Sequence, residues 1–255
     1  MPSISTNAIV LRHANFKDYD RMLTLFSPTL GRVDAVARGC RKQHSALGSA
    51  TELFCVGEYQ FYQNRDRYTL TGAAVRESYY PLRNDYDRLV YAMYILSVCD
   101  AVMLPEQAHE TLFVQLLNVL ARLSYGARLQ SPEVLTTAFL LQLAEDQGYR
   151  PQLDICVQCG KPLPDNEIFR FDNQAGGMLC KQCGWASAEI VEPALLRHLR
   201  EVQGEGCDAD EEGIDREIVE AALRRMRSYM ESRIGRSIKA ARLLPAAVAI
   251  AQAEE

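Results

Sequence analysis

Four cysteines constrain this chain more than any other feature. They fall as two pairs, in "CVQCGKP" (156–162) and "LCKQCGW" (179–185). Two residues separate Cys156 from Cys159 and Cys180 from Cys183, and twenty lie between the pairs. A two-residue gap lets two thiolates converge on one ion, and the glycine after each pair (Gly160, Gly184) permits the backbone of a metal knuckle. Twenty residues suit a short hairpin. "IFRFDNQAGG" (168–177) has that form, with Phe169 and Phe171 alternating before a turn. Four thiolates select zinc in a closed tetrahedral shell. A redox role fits two pairs at ribbon spacing poorly. An iron–sulfur cluster also takes four cysteines, but hairpin spacing favours one mononuclear ion. Catalytic zinc keeps a position for water, which four cysteines fill, and His198 is a lone side chain on a predicted helix. The expectation is one structural Zn2+.

The rest of the chain must supply the body that this hairpin joins. Its 255 residues suit one large domain or two modest ones. With 48% hydrophobic and 24% charged residues, a packed core is expected. No run reaches the ~18 uninterrupted apolar residues of a membrane span, and "MPSISTNAIV" lacks the basic head and apolar stretch of a secretory signal. These features point to the cytosol, where thiols stay reduced, so the cysteines read as metal ligands and small buried hydrophobes. Net charge is −5 but uneven. Residues 1–50 hold seven Lys or Arg against three acids, +4, leaving 21 basic and 30 acidic side chains, −9, in the other 205. Such asymmetry hints that the basic part meets a polyanion.

The first 80 residues read as five short strands bounded by turn formers: 7–13, 21–27, 32–38, 53–64 and 67–75. Pro28 and Gly31 sit where a hairpin loop wants them, and Gly57 would ease a barrel-closing bend. Five strands in this length suit a small barrel, the OB-fold among the options. After Pro81 the period becomes helical. Segments 84–103, 109–126 and 131–148 carry apolar stripes, the last opened by Ser131, Pro132 and Glu133, and together they predict a helical bundle. Helices are also predicted over 191–202 and 215–235. The acidic "GEGCDADEEG" (204–213) between them reads as a mobile surface loop, and "AAVAIAQAEE" (246–255) as a frayed helix or an irregular tail.

No phosphate-binding loop, nucleophile elbow or dinucleotide fingerprint appears, and the four histidines are scattered. The chain therefore reads as a binding protein and not an enzyme. The strongest local candidate is "ARGCRKQHS" (37–45), where Arg38, Arg41 and Lys42 lie on a glycine-punctuated stretch between strands. Tyr59, Phe61, Tyr62 and Tyr68 follow, and those facing outward could stack on bases.

"AIVLR", "LTLFSPTLGRVDAVARGCRKQHS", "LFVQLLNVL", "LQLAEDQGYRP", "CVQCG", "FRFDNQAGGMLC" and "RSIKAARLL", in that order, resemble the RecO family of bacterial recombination mediators over nearly the whole chain. The resemblance implies an α+β fold: an N-terminal five-stranded OB-fold β-barrel over 1–80, a helical bundle over 81–150 and 189–255, and an inserted four-cysteine zinc-binding hairpin over 151–188. It implies binding of single- and double-stranded DNA, annealing of complementary strands and, with RecR, the loading of RecA on DNA coated by single-strand-binding protein (SSB). It also implies contact with the acidic C-terminal tail of SSB, no enzymatic turnover, no membrane association and a cytoplasmic, nucleoid-associated location. By position, Arg12, Arg32, Arg38, Arg41 and Lys42 would contact DNA. Lys17 and Arg21, the other two cations of the first 50 residues, complete the candidate set. Two departures stand out: few basic residues follow Arg38, and the acidic 204–213 loop is not a family feature. The alternative is a protein-interaction adaptor with a structural zinc and no direct DNA contact.

Overall fold

The computed structural model describes residues 3–65, 67–126, 130–185 and 188–245; the closing segment 246–255 lies outside them. The chain divides into two compact units, Met1–Ser124 and Tyr125–Glu255. None of the described helices is long and apolar enough to cross a membrane.

The first unit begins with a closed barrel of β1 (Ser3–Phe16), β2 (Asp20–Ser27), β3 (Gly31–Ala37), β4 (Val56–Asn64) and β5 (Arg67–Glu77), in the order β1-β2-β3-β5-β4. All neighbours run antiparallel except β3 and β5, whose parallel pairing of Ala35–Ala37 with Tyr68–Leu70 completes the ring together with the β1–β4 ladder. This is the OB-type barrel that the turn spacing predicts, with β1 longer at both ends than its apolar run. Alternate residues fill the interior: Val10, Leu23, Leu25, Val33, Ala35, Tyr59, Phe61 and Leu70 form one buried cluster. Gly57 sits opposite a bulge in β5, and a Cβ there would lie 2.2 Å from the Ala74 carbonyl oxygen, so close strand approach is the reason for glycine.

Helices α1 (Tyr86–Val102) and α2 (Glu110–Tyr125) follow. The boundary at Ser124 places both with the barrel, where the sequence reading began a separate bundle at residue 81. The packing explains it. α1 lies against β1, on whose outer face Ile9 and Leu11 are buried, and Phe113 of α2 meets Phe26 of β2 edge-on at 5.3 Å. Asp85 caps α1 by accepting from the Arg88 amide. α1 is buried nearly all round, including Tyr91, Tyr94 and Cys99, so the single stripe expected from its sequence is too narrow. The α1–α2 loop is fastened to the β2–β3 turn: the Arg32 amide donates to Leu104 O and the Glu106 amide to Leu30 O. Gly31 makes this approach possible, with φ +65° and a virtual Cβ 2.4 Å from Gln107 O.

In the second unit, α3 (Pro132–Asp146), α4 (Pro193–Glu205) and α5 (Arg216–Ile234) pack together beside a three-stranded sheet of β6 (Phe169–Asp172), β7 (Gly177–Leu179) and β8 (Glu189–Val191), ordered β7-β6-β8. β8 has too few residues for its period to be read in the sequence. The segment 204–213 is folded, which corrects the expected mobile loop. α4 runs on to Glu205, Gly206–Asp208 form a 3₁₀ turn, Ala209 is fully buried, and the Glu211 carboxylate accepts from the Ser131 amide and hydroxyl at 2.7 Å each. Acidic composition suggested solvent, but Glu211 adds negative charge and acceptors at the N-terminus of α3, where both stabilise a helix.

Two outcomes follow. Gly31→Ala combines left-handed strain with overlap of two backbone carbonyls, and is expected to lower stability by ~2–4 kcal/mol in urea unfolding. His198 on α4 is 2% exposed, and neither ring nitrogen has a hydrogen-bond partner among the described residues. Burial lowers its pKa, opposed by the charges of Glu201 and Glu211. The unfolded chain therefore takes up a proton near the ordinary histidine pKa of ~6.5 while the folded chain resists it. Stability should fall as pH drops below that value, by up to one proton's linkage, and His198→Leu should flatten this part of the profile.

Candidate metal centre and nucleic-acid interface

The four predicted cysteines meet. Their sulfurs all lie within 4.8 Å of one another, and Cys159 Sγ to Cys180 Sγ is 3.8 Å. A tetrahedral thiolate site with metal–sulfur bonds of ~2.3 Å needs about 3.8 Å between sulfurs. Gly160 adopts φ +72° and its amide closes the first knuckle on Cys156 O at 2.8 Å. Gly184 closes the second on Cys180 O at 2.8 Å without a left-handed φ, and is small because Arg170 Cδ would lie 2.9 Å from a Cβ. Burial works to raise the Cys156 thiol, but backbone amides of Cys180, Cys159 and Gln158 bring it down to about 6. Cys183 is pushed up to about 12, first by its hydrogen bond with Cys180, then by burial and the other sulfurs. Burial works against the Cys180 thiolate too, but backbone amides of Cys183 and Gln182 lower that thiol as well, so deprotonation is eased at Cys156 and Cys180 and opposed at Cys183 unless a cation is present. The group can hold one metal ion.

The second unit grips this hairpin through arginines. Arg200 of α4 donates to Leu153 O at 2.8 Å and Leu163 O at 2.9 Å, and pairs with Asp154 at 3.1 Å and with Asp165. On α5, Arg225 covers the Phe171 ring and Tyr229 meets it edge-on at 5.5 Å, while Ser228 accepts from the Asn173 amide.

The seven cations proposed from the first 50 residues separate by partner. Arg21 is 16% exposed and donates to Glu52 at 2.7 Å and Thr51 Oγ1 at 2.9 Å. Arg32 bridges Asp34 of β3 (3.0 Å) and Asp100 of α1 (2.6 Å). Partial burial works to raise the Asp34 carboxyl, yet hydrogen bonds from Arg32 and Thr24 hold it below its usual range. Arg21 and Arg32 are thus committed to partners inside the first unit. Arg12 remains largely exposed, with a long pair to Asp100 at 3.5 Å. Lys17, Arg38, Arg41 and Lys42 are exposed. The stretch from Arg38 to Lys42 is anchored on the β1–β2 turn: Cys40 is buried, the Gly39 amide donates to Asp20 Oδ1 (2.8 Å), the Arg41 amide to Tyr19 O (3.0 Å), and Lys42 lies over the Tyr19 ring.

Beside it, the outer face of the barrel carries a groove of about 920 Å³. Its walls bring Lys17 and Arg38 together with Phe16, Tyr62 and Tyr68, and with Arg67, which the sequence reading did not single out. Phe16 was missed as well. It ends β1 at 41% exposure, with the Lys17 ammonium 5.4 Å from its ring centre. The only signal for it was an aromatic standing beside a lysine at a turn. Tyr59 and Phe61 face the barrel interior and Tyr62 is turned to the groove, while Tyr68 lines the groove from the end of the barrel core, packed edge-on against Phe61 at 5.9 Å. Asp20 and Asp34 also line it, which keeps its charge mixed. Aromatic faces beside cations are what unpaired bases and their phosphates require.

Two family models match the chain, the N-terminal domain of recombination protein O over residues 1–79 and its C-terminal domain over 83–242. A DNA repair protein RecO from Symbiobacterium thermophilum is 32% identical over 248 residues, 96% of this chain and 97% of that protein. RecO from Acetivibrio thermocellus is 34% identical over 183 residues, 72% of this chain and 71% of that protein. Model matches across both units and full-length similarity lead to one conclusion: the chain belongs to the RecO family of DNA repair proteins.

Proposed function

We propose that this chain is a recombination mediator that binds single- and double-stranded DNA and anneals complementary strands. With RecR it promotes loading of RecA on SSB-coated DNA, contacting the acidic SSB tail. The observation that carries the reading is the groove on the barrel, where Phe16, Tyr62 and Tyr68 stand beside Lys17, Arg38 and Arg67. Bases unstacked from a strand would lie on the aromatic faces, and the cations would take the phosphates without reading sequence. Such a role asks for binding and release, not bond chemistry, so no turnover is assigned. Duplex DNA, whose bases stay stacked, would be held by the exposed cations Arg12, Arg41 and Lys42. The four thiolates take one structural zinc, because they fill a tetrahedral shell and leave no position for water. Cytoplasmic, nucleoid-associated location follows from the same reading.

Arg38→Glu with Arg41→Glu is expected to abolish oligonucleotide binding in a mobility-shift assay at ~100 mM salt, where binding depends on counterion release. Arg21→Gln should instead lower thermal stability and leave the salt slope of binding unchanged. Unaltered binding by the double variant would favour the protein-adaptor reading. Tyr62→Ala should weaken single-strand binding by ~1–3 kcal/mol with little effect on duplex.

Elemental analysis should find one zinc per chain. Cys156→Ser should lose the metal and unfold the hairpin unit at lower denaturant while the barrel keeps its DNA affinity. Loss of DNA affinity before loss of stability would contradict a structural zinc.

A further inference from the structure

The acidic balance of the last 205 residues hides a second basic segment. Residues 224–242 hold Arg224, Arg225, Arg227, Arg233, Arg236, Lys239 and Arg242 against the single acid Glu231, a net +6. Four of these cations, Arg227 among them, are already engaged. Arg224 pairs with Glu220, Arg225 with Glu189, and Arg233 donates to Gln174 O while lying over the rings of Tyr149 and Tyr229. Arg236, Lys239 and Arg242 differ: all three are exposed, and none makes a hydrogen bond or an ion pair among the described residues.

Their spacing is the telling feature. A 3₁₀ helix runs from Lys239 to Leu243, and a 3₁₀ helix repeats every three residues, with side chains at i and i+3 in line. Ile238, Ala241 and Leu244 follow that period and are 6%, 3% and 0% exposed. Lys239 and Arg242 follow the same period on the outer side, and Arg236 stands three residues before Lys239 in the irregular segment that leads into the helix. The inward row fixes the outward one, and the Glu231 carboxylate, which accepts from the Ile238 amide at 3.0 Å, fixes where the segment starts. Lys239 and Arg242 are therefore held about 6 Å apart along the helix axis.

We infer that Arg236, Lys239 and Arg242 form a second nucleic-acid contact, taking successive backbone phosphates of a strand. A ligand that matches like charges at one repeated step must itself carry the opposite charge at a repeated step, and a phosphodiester backbone does so whatever its sequence. An acidic peptide would also want an apolar anchor beside the charges. The apolar side chains of this segment are turned inward, apart from Leu243. The inference rests on the DNA-binding reading and deepens it. Annealing requires two strands to be held by one protein, and a cation row on the second unit supplies a contact separate from the barrel groove.

The test uses the full-length, zinc-loaded chain with Arg236→Glu, Lys239→Glu and Arg242→Glu combined, beside Arg38→Glu with Arg41→Glu. The triple variant is expected to keep its thermal midpoint, since the three side chains are exposed and make no hydrogen bond or ion pair among the described residues, and to bind one oligonucleotide through the barrel. Its log–log salt slope should fall by about 2, three contacts at ~0.7 each. Annealing of complementary strands should slow about tenfold, as steering of the second strand is lost. The charge-conserving triple Arg236→Lys, Lys239→Arg and Arg242→Lys should restore both. If the barrel variant loses binding while the triple variant keeps wild-type slope and annealing, the inference is overturned and the DNA reading stands. If neither variant changes DNA binding, the DNA reading itself fails. A triple variant that loses only its binding to an acidic peptide, with DNA behaviour intact, would overturn the inference in favour of a protein ligand.

Discussion

One guanidinium organises the first unit. Arg32 reaches from β3 to Asp100 of α1 while holding Asp34 on its own strand, and both ends of the α1 bridge are only about one-fifth exposed. An exposed ion pair would contribute little. This one is partly withdrawn from water and hydrogen-bonded to an acceptor on each side, so removing one partner would leave the other poorly solvated. It also decides which part of the barrel stays open. With α1 fastened across β1, the side chains of Ile9 and Leu11 are covered, and Phe26 is closed off by Phe113. The outward row of β3 begins at Arg32 under α1 and continues through Asp34 and Val36 to Arg38 in the groove. The covered face and the face that carries the groove are two ends of the same row.

The second unit solves a different problem. β6 has four residues and β7 three, too few for a free-standing hairpin in water. The cysteine cluster closes one end. Arg200 ties the strands of chain leading into it to α4, and Phe171 is held between Arg225 and Tyr229 on α5. The barrel, in contrast, has a continuous ladder and a core of its own. The cysteine cluster closes a local fold in one unit, and the polyanion binding proposed for the barrel does not depend on it.

What could be read in advance follows from the length scale of each signal. Strand and helix periods repeat within a few residues, and they located five barrel strands and five helices. Sulfur spacing is equally local, and it brought Cys156, Cys159, Cys180 and Cys183 together. Partner choice is not local. Arg21, Arg32 and Arg38 look alike in sequence, yet Arg21 meets Glu52 thirty-one residues on, Arg32 meets Asp100, and Arg38 meets solvent. The same limit explains Glu211: an acid in a glycine-rich stretch reads as solvated until its carboxylate is found on Ser131, eighty residues earlier. Boundaries fail for a related reason. The apolar run of β1 spans fewer residues than its ladder because ladder bonds come from backbone, which any side chain can accompany.

Net charge is therefore a poor guide to what a chain of this kind can bind. The sum of −5 counts Arg32 and Arg236 equally. Arg32 has its charge neutralised by two carboxylates within the fold, whereas Arg236 carries a full charge into solvent. The acids that dominate the total are partly internal as well, since Glu211, Asp85 and Asp215 all accept backbone amides at helix starts. What a passing polyanion meets is the residue of this internal pairing. By that measure Arg38–Lys42 and Arg236–Arg242 are two short stretches in which exposed cations cluster. Each is pinned by buried small or apolar neighbours, Cys40 in the first and Ile238, Ala241 and Leu244 in the second. Cations fixed in this way lose less freedom on meeting phosphate than cations on a loose loop, and so bind it more tightly for the same charge.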